Sequence, residues 1–270
     1  MLRRLIRAPY NLLRYCTLPW WTAVALLDSK VGQEYGIGLA AKLGLLRKMW
    51  RNARQPGSAS VFFEHFYIVA RLLSIPKSVE GAVAEFGCFK GMSTASLSLA
   101  CALTGRRLIV FDSFEGLPEV DDTVHRHIET GAEVPYQKGQ YAGALEEVQD
   151  NVRRFGRIDV CEFVKGYFDA TLPTRPDTER YALIFEDADL RQSVLSVLKG
   201  AWKKLQPGSL YFCHEARDRE VVELFFDHQW WQENLGEPAP GFTGSGIGML
   251  SGPDTHWCCL GYATRSGKTS

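Results

Sequence analysis

The sequence has no excess of charge of either sign: 31 basic residues stand against 31 acidic ones. A protein whose main partner is nucleic acid tends to carry a basic surface, so the balance argues against that class. No Cys-x-x-Cys spacing occurs, and the seven cysteines are scattered and odd in number. That excludes a disulfide framework and fits reduced thiols in a cytoplasmic protein. The adjacent Cys258 and Cys259 would sit on opposite faces of a strand. No apolar run is long enough to cross a bilayer, since the uncharged stretch from Tyr15 to Leu27 is short and contains Pro19. No small-residue cleavage signature for secretion is present. Also missing are a Gly-x-Gly-x-x-Gly turn and a Tyr-x-x-x-Lys pair, which weighs against NAD-dependent hydride transfer.

What is present is organised around Gly81 to Gly91. Ala82-Val83-Ala84 reads as a buried strand, followed by Glu85, a glycine turn at Gly87 to Gly91, and a helix from Met92 to about Leu103. A second strand, Leu108 to Phe111, ends on Asp112. Strand, glycine turn, helix, strand and terminal acid form the half-unit that binds an adenosine cofactor at the carboxyl ends of its strands. In Glu85-x-Gly87-x-x-x-Gly91, Phe89 falls where the middle glycine of a dinucleotide turn would be. The turn therefore suits a cofactor with no pyrophosphate to cradle, such as S-adenosylmethionine. Asp112 is placed to accept hydrogen bonds from both ribose hydroxyls.

Further strands are expected at Val160–Val164, Tyr181–Phe185 and Leu210–Cys213, alternating with helices, with a closing strand pair near Trp257 to Tyr262. This alternation predicts an α/β fold, a Rossmann-like doubly wound sheet that is mostly parallel with an antiparallel C-terminal strand. The strand at Tyr181 ends in Glu186-Asp187-Ala188-Asp189, and its neighbour ends in His214-Glu215. Carboxylates with one imidazole suit a divalent cation, magnesium or manganese first, iron or zinc also. Asp189 also fits a helix N-cap, with Gln192 at the capping-box position. The connection from Glu119 to about Lys138, carrying Asp121, Asp122, His125 and His127, is too polar for core. It is expected to be a lid or disordered when empty, with both histidines solvent-exposed or positioning the lid rather than catalytic. Phe62, Phe66, Trp230, Trp231 and Phe242 read either as core or as a platform for an acceptor.

Residues 1–57 form a basic, helical extension. Arg3, Arg4, Arg7 and Arg14 precede the first acid, Asp28, and interleave with Leu2, Leu5, Ile6, Leu12 and Leu13. With Trp20 and Trp21, this stretch suits the surface of an anionic membrane. The other uses are a lid over the active site or a dimer arm.

Taken together, Glu85–Gly91, Asp112-Ser113-Phe114-Glu115-Gly116-Leu117-Pro118, Val164–Pro173 and Asp187-Ala188-Asp189-Leu190 resemble the macrocin-type O-methyltransferases. The resemblance runs from about Phe62 to Tyr262 and assigns residues 58–270 to one methyltransferase domain. It implies a class I methyltransferase fold, S-adenosylmethionine as donor, a divalent metal, usually magnesium, and a sugar hydroxyl of a natural product as acceptor. By the same resemblance, Glu85, Gly87, Gly91 and Ser93 surround the methionine part of the donor, Asp112 and Ser113 hold the ribose, and Gly166 and Tyr167 border the adenine. Asp187 matches the family's first metal-binding aspartate. The family's Asp-Asp pair at the end of strand five is His214-Glu215 here, so the expected metal set is Asp187, His214 and Glu215. Asp187 and His214 are the expected catalytic residues, with His214 as proton acceptor if it is not a ligand. The expected partner is a small hydroxylated acceptor, and the expected assembly is a homo-oligomer, cytoplasmic or peripheral at the inner membrane surface. The His214-Glu215 replacement also motivates an alternative, a donor-binding protein without catalysis.

Overall fold

The computed structural model describes residues 20–55, 57–119, 124–249 and 258–266. The arginine-rich start, Asp121, Asp122 and Trp257 lie outside them.

Five parallel strands and one antiparallel strand make the main sheet. They are β1 (Ala82–Phe86), β2 (Leu108–Asp112), β5 (Cys161–Lys165), β6 (Tyr181–Glu186), β7 (Leu210–Cys213) and β8 (Gly261–Thr264), in the order β5-β2-β1-β6-β7-β8. Every residue of β1, β2, β6 and β7 is buried, which is why these segments read as continuous apolar runs rather than alternating ones. β8 runs antiparallel to β7, pairing Leu210 with Thr264. The expected closing pair is thus one strand, joined by a single bridge between Thr243 and Tyr262.

The strand order reverses between β1 and its two neighbours, β2 and β6. In open α/β sheets ligands bind at the carboxyl ends of the strands at such a switch point. Hydrogen bonds bring those ends level: Gly87 N–H donates to Phe111 O, Asp187 N–H to Phe86 O, and His214 N–H to Glu186 O.

Helices cover both faces. The helix after the glycine turn, here α4 (Met92–Thr104), is buried on nearly all sides, and its serines and alanines let it lie close to the sheet. Before it come α1 (Trp21–Leu27), α2 (Leu39–Asn52) and α3 (Phe62–Leu73). Leu26, Leu45 and Met49 share a core with Phe63, Val83 and Phe212, so residues 20–55 pack onto the same core as the strands. α5 (Leu145–Phe155) has Glu146 and Glu147 in its first turn and Arg153 and Arg154 in its last, which complements the helix dipole at both ends. The short α6 (Phe168–Thr171) follows β5, and α7 (Arg191–Ala201) follows β6. After β7 come α8 (Arg219–Val222), a 3-10 turn and α9 (His228–Leu235), with Asp227 accepting from Trp230 N–H at the break.

The polar connection carries secondary structure of its own. Its described part folds into the hairpin of β3 (Val124–Arg126) and β4 (Glu133–Pro135). Of the two roles expected for His125, the solvent-exposed one is overturned: the side chain is fully buried and anchors the hairpin, its Nδ1 3.0 Å from Asp218 Oδ2. Tyr136 Oη donates to the same oxygen at 3.0 Å, so the loop's polar groups are satisfied internally. His127 is partly exposed, with Nε2 3.6 Å from Asp218 Oδ1.

Candidate active site

A cavity of about 490 Å3 opens at the carboxyl ends of β1, β2, β6 and β7. Of the predicted donor residues, Gly87, Ser93, Asp112, Ser113 and Tyr167 line it, whereas Glu85, Gly91 and Gly166 lie behind its wall. Asp187, Asp189, His214 and Glu215 line the opposite side, with His127, Tyr136, Tyr141 and Asp218. One hollow therefore joins the two halves that the sequence presents more than seventy residues apart.

The turn after β1 is built on conformations that side chains resist. Gly87 has φ +82°, and a Cβ there would lie 2.0 Å from Asp187 O. Only glycine lets the turn touch the end of β6. Phe89 has φ +47°, so it holds the left-handed backbone that a glycine would adopt freely. Its ring meets Tyr141 edge-on at 5.8 Å. Tyr141 and Asp189 also have positive φ, at +58° and +60°. Three of the four non-glycine residues so strained among the described residues line this cavity, as strained backbone at a functional site tends to do.

Asp112 binds the turn from β2. Its Oδ2 accepts from Cys88 N–H and its Oδ1 from Phe114 N–H, both at 2.7 Å. Burial raises its pKa while these bonds oppose the rise. Ser113 Oγ donates to Gly116 O at 2.8 Å and accepts from Glu115 N–H at 3.1 Å, which closes the loop after β2. Gly166 N–H donates to Asp112 O and sets β5 beside that loop.

Glu85 is fully buried beneath the turn, and neither of its oxygens has a hydrogen-bond partner among the described residues. Burial pushes its carboxyl up to about 8, against the nearby hydroxyls of Ser93 and Thr94. A buried, unpartnered carboxyl beside a glycine turn fits a cationic cofactor, because an uncompensated acid inside a protein draws positive charge or holds its proton.

On the acid side, Asp187, Asp189 and Glu215 each bring an oxygen within 4.8 Å of the others. Glu215 Oε1 accepts from Asp189 N–H at 2.8 Å. Burial, then the neighbouring carboxylates, raise Asp189 and Glu215 well above the ordinary carboxylate range. Three converging carboxylate side chains are an oxygen donor set that magnesium or manganese fits. Asp189 is not the N-cap of α7: that position is Leu190, and no side chain caps the helix. The backbone is left-handed at Asp189, three residues past the end of β6, and the Asp189 carboxylate lies near that of Asp187. A second cluster, Glu186, Cys213 and Glu215, is buried and shares Glu215 with the first.

His214 is not part of the three-carboxylate set. Its Nδ1 is 3.2 Å from Asp187 Oδ1 and its Nε2 is 3.2 Å from Glu64 Oε2. Burial alone would lower its pKa, but Asp187 and Glu64 outweigh burial and raise it well above the usual value. The ring is held as an imidazolium, and both nitrogens donate.

Glu64 went unread in the sequence. It is buried in α3, accepts from Val61 and Cys259 N–H, and is pulled below its ordinary pKa by His214 despite burial. The available signal was a lone acid inside the aromatic stripe Phe62-Phe63-Glu64-His65-Phe66, since a buried acid must find a partner. His65 beside it is neutral, lowered to about 4 by burial, with Ser60 and Ser96 hydroxyls on its two nitrogens. Tyr136 and Asp218 also went unread; no spacing ties them to the site.

The strand order, the glycine turn and the acids at the strand ends define a class I methyltransferase fold. Solved structures agree: the O-methyltransferase NovP matches with TM-score 0.54 and 19% identity, over 86% of this chain and 81% of that one. A calicheamicin methyltransferase matches with TM-score 0.51 and 17% identity, over 83% and 92%. A model of the macrocin-O-methyltransferase family (TylF) matches residues 70–238, and the chain belongs to that family. One curated relative, 30% identical over 173 residues, is the 8-demethyl-8-(2,3-dimethoxy-alpha-L-rhamnosyl)-tetracenomycin-C 4'-O-methyltransferase of Streptomyces olivaceus. That match covers 63% of this chain and 65% of the relative, slightly less than two thirds of its length. Another, 29% identical over 178 residues, is the mycinamicin III 3''-O-methyltransferase of Micromonospora griseorubida, covering 58% of this chain and 70% of the relative.

Proposed function

We propose that the protein transfers the methyl group of S-adenosylmethionine to a hydroxyl of a sugar, free or on a glycosylated natural product, with a divalent cation at Asp187, Asp189 and Glu215. The observation that carries this is the single cavity with the glycine turn and Asp112 on one wall and three converging carboxylates on the other. The relatives named for methylation of sugars support the acceptor class.

Each residue has a part. Gly87, Ser93, Asp112 and Ser113 hold the donor, with Glu85 supplying negative charge beneath its cationic end and Tyr167 bordering the adenine. A divalent cation would lower the pKa of an acceptor hydroxyl and fix its direction. The sugar oxygen attacks the methyl carbon as the carbon–sulfur bond breaks, so the walls must hold oxygen, carbon and sulfur in line and keep water out. The hydroxyl proton goes to a carboxylate of the cluster, Asp187 first. His214, with both nitrogens donating, holds Asp187 against Glu64 as a positioning residue instead of accepting the proton or binding the cation. Glu215 supplies the carboxylate of the unusual His214-Glu215 pair.

The test combines methyl transfer to hydroxylated acceptors with donor-binding calorimetry. Asp187→Ala and chelation should each lower turnover at least a hundredfold and leave donor affinity within a few-fold. Intact turnover in Asp187→Ala refutes the metal role. Donor binding without any transfer, with magnesium or manganese supplied, favours the non-catalytic alternative, and absence of donor binding refutes both.

A further inference from the structure

The net charge of zero conceals a division along the chain. Residues 1–63 hold ten of the 31 basic residues and two of the 31 acidic ones, Asp28 and Glu34. Between Glu34 and Glu64 there is no acid at all, while Lys42, Arg47, Lys48, Arg51 and Arg54 fall there. Arg47, Lys48, Arg51 and Arg54 have no carboxylate partner among the described residues, whereas Arg106 is buried among carbonyls and Arg107, Arg126, Arg175 and Arg265 are ion-paired.

The same segment exposes apolar side chains. α1 and α2 lie side by side and antiparallel: Trp20, at the start of α1, meets Trp50 near the end of α2 at 6.2 Å, and Lys42 Nζ donates to Asp28 O, just past the end of α1. One stripe of α2, Lys42, Leu45, Met49 and Asn52, is buried. A second stripe, Leu39, Leu43 and Trp50, recurs at helical spacing and is exposed by 59%, 50% and 37%. Trp21 and Val24 of α1 are exposed by 49% and 68%. Five large apolar side chains on two adjoining helices, edged by cations that no carboxylate neutralises, are more than scattered surface hydrophobes.

We propose that the α1–α2 pair is a docking surface for an anionic lipid bilayer, with the leucine and tryptophan stripe in the acyl boundary and Arg47, Lys48 and Arg51 at the headgroups. Charge selects this occupant. A twofold contact with a second copy would set the same cations against one another, which like-charge repulsion opposes. A nucleic acid would leave Leu39, Leu43 and Val24 in water. An interfacial helix needs both elements, an apolar face and Lys or Arg beside it. The proposal is independent of the chemistry in the cavity.

The test is co-sedimentation of the full chain with phosphatidylcholine vesicles, with and without phosphatidylglycerol. Binding is expected only with phosphatidylglycerol, to fall as salt rises, and to shift tryptophan emission to the blue. Each cation near such a surface is worth about 1 kcal/mol, so Arg47→Glu/Lys48→Glu/Arg51→Glu should weaken partition at least a hundredfold. Leu39→Ser/Leu43→Ser should also weaken it, without changing its dependence on salt. Both variants should bind the methyl donor as the parent does, which separates failure of docking from failure of folding or of the methyltransferase assignment. Protein left in the supernatant at low salt overturns the proposal, as does vesicle binding unchanged in the charge-reversed variant. A dimer that dissociates in Leu39→Ser/Leu43→Ser, with no vesicle binding, assigns the face to a second copy. Release from vesicles by an oligonucleotide that binds more tightly assigns it to nucleic acid.

Discussion

Glu85→Gln is expected to stabilise the donor-free protein at neutral pH, although it removes an ionisable acid from the donor half of the site. The carboxyl is fully buried, has no hydrogen-bond partner among the described residues, and is raised to about 8 from an ordinary value near 4.5. The sign follows from proton counting. The folded state keeps the proton up to about pH 8, whereas the unfolded chain releases it above about 4.5, so unfolding releases a proton in that window and stability falls as pH rises. At roughly 1.4 kcal/mol per pH unit, the penalty reaches about 3 kcal/mol at pH 7 and levels off above pH 8. Glutamine has the same shape and no such equilibrium. The difference between variant and parent should therefore be near zero at pH 4.5, grow steadily to pH 8, and then stay constant. Urea denaturation of both proteins across that range, without donor or metal, measures it. A Glu85→Gln protein that is equal to or less stable than the parent at pH 7 refutes the account of Glu85 as an uncompensated buried acid. Donor affinity should move the other way, since the carboxyl supplies negative charge to a cationic ligand.

Three further outcomes follow from the same geometry. His214→Gln should destabilise the metal-free protein by about 3–5 kcal/mol at pH 6, since it leaves the buried Glu64 beside Asp187 without the cation between them. The raised His214 pKa makes that contribution complete below about pH 6.5 and lost as pH climbs through the folded value, so the gap between parent and variant should close at high pH. Phe89→Gly should be more stable than Phe89→Ala by about 1 kcal/mol in urea denaturation, the reverse of the usual order, because φ is +47° there. Gly87→Ala should abolish donor binding in calorimetry, since its methyl group would fall 2.0 Å from Asp187 O and force β1 and β6 apart.

The donor half was legible in the sequence because it is local. Strand, glycine turn, helix and the acid after the next strand follow one another within about thirty residues, and the φ demands of Gly87 and Gly91 are written as residue type. The acid side was half legible. Asp187, Asp189 and Glu215 were visible as strand-end acids, but their convergence depends on β6 pairing with β7 and on the left-handed backbone at Asp189, which reads as a helix cap from sequence. His125 shows the limit from the other side: a histidine in a polar connection reads as solvent-exposed or as positioning a lid, and only Asp218, ninety-three residues later, makes its burial affordable in hydrogen bonds.

The sequence by itself determined the sheet, its nearly parallel order and the place of the donor, because backbone pattern and glycine are local properties. Only the tertiary structure decided the state of His214. A histidine at a strand end reads equally as ligand, base or bystander, and what raises its pKa against burial is first Asp187 and then Glu64, which lies 150 residues away in sequence. Electrostatics inside a protein depends on distance and burial, and neither is a property of any one segment.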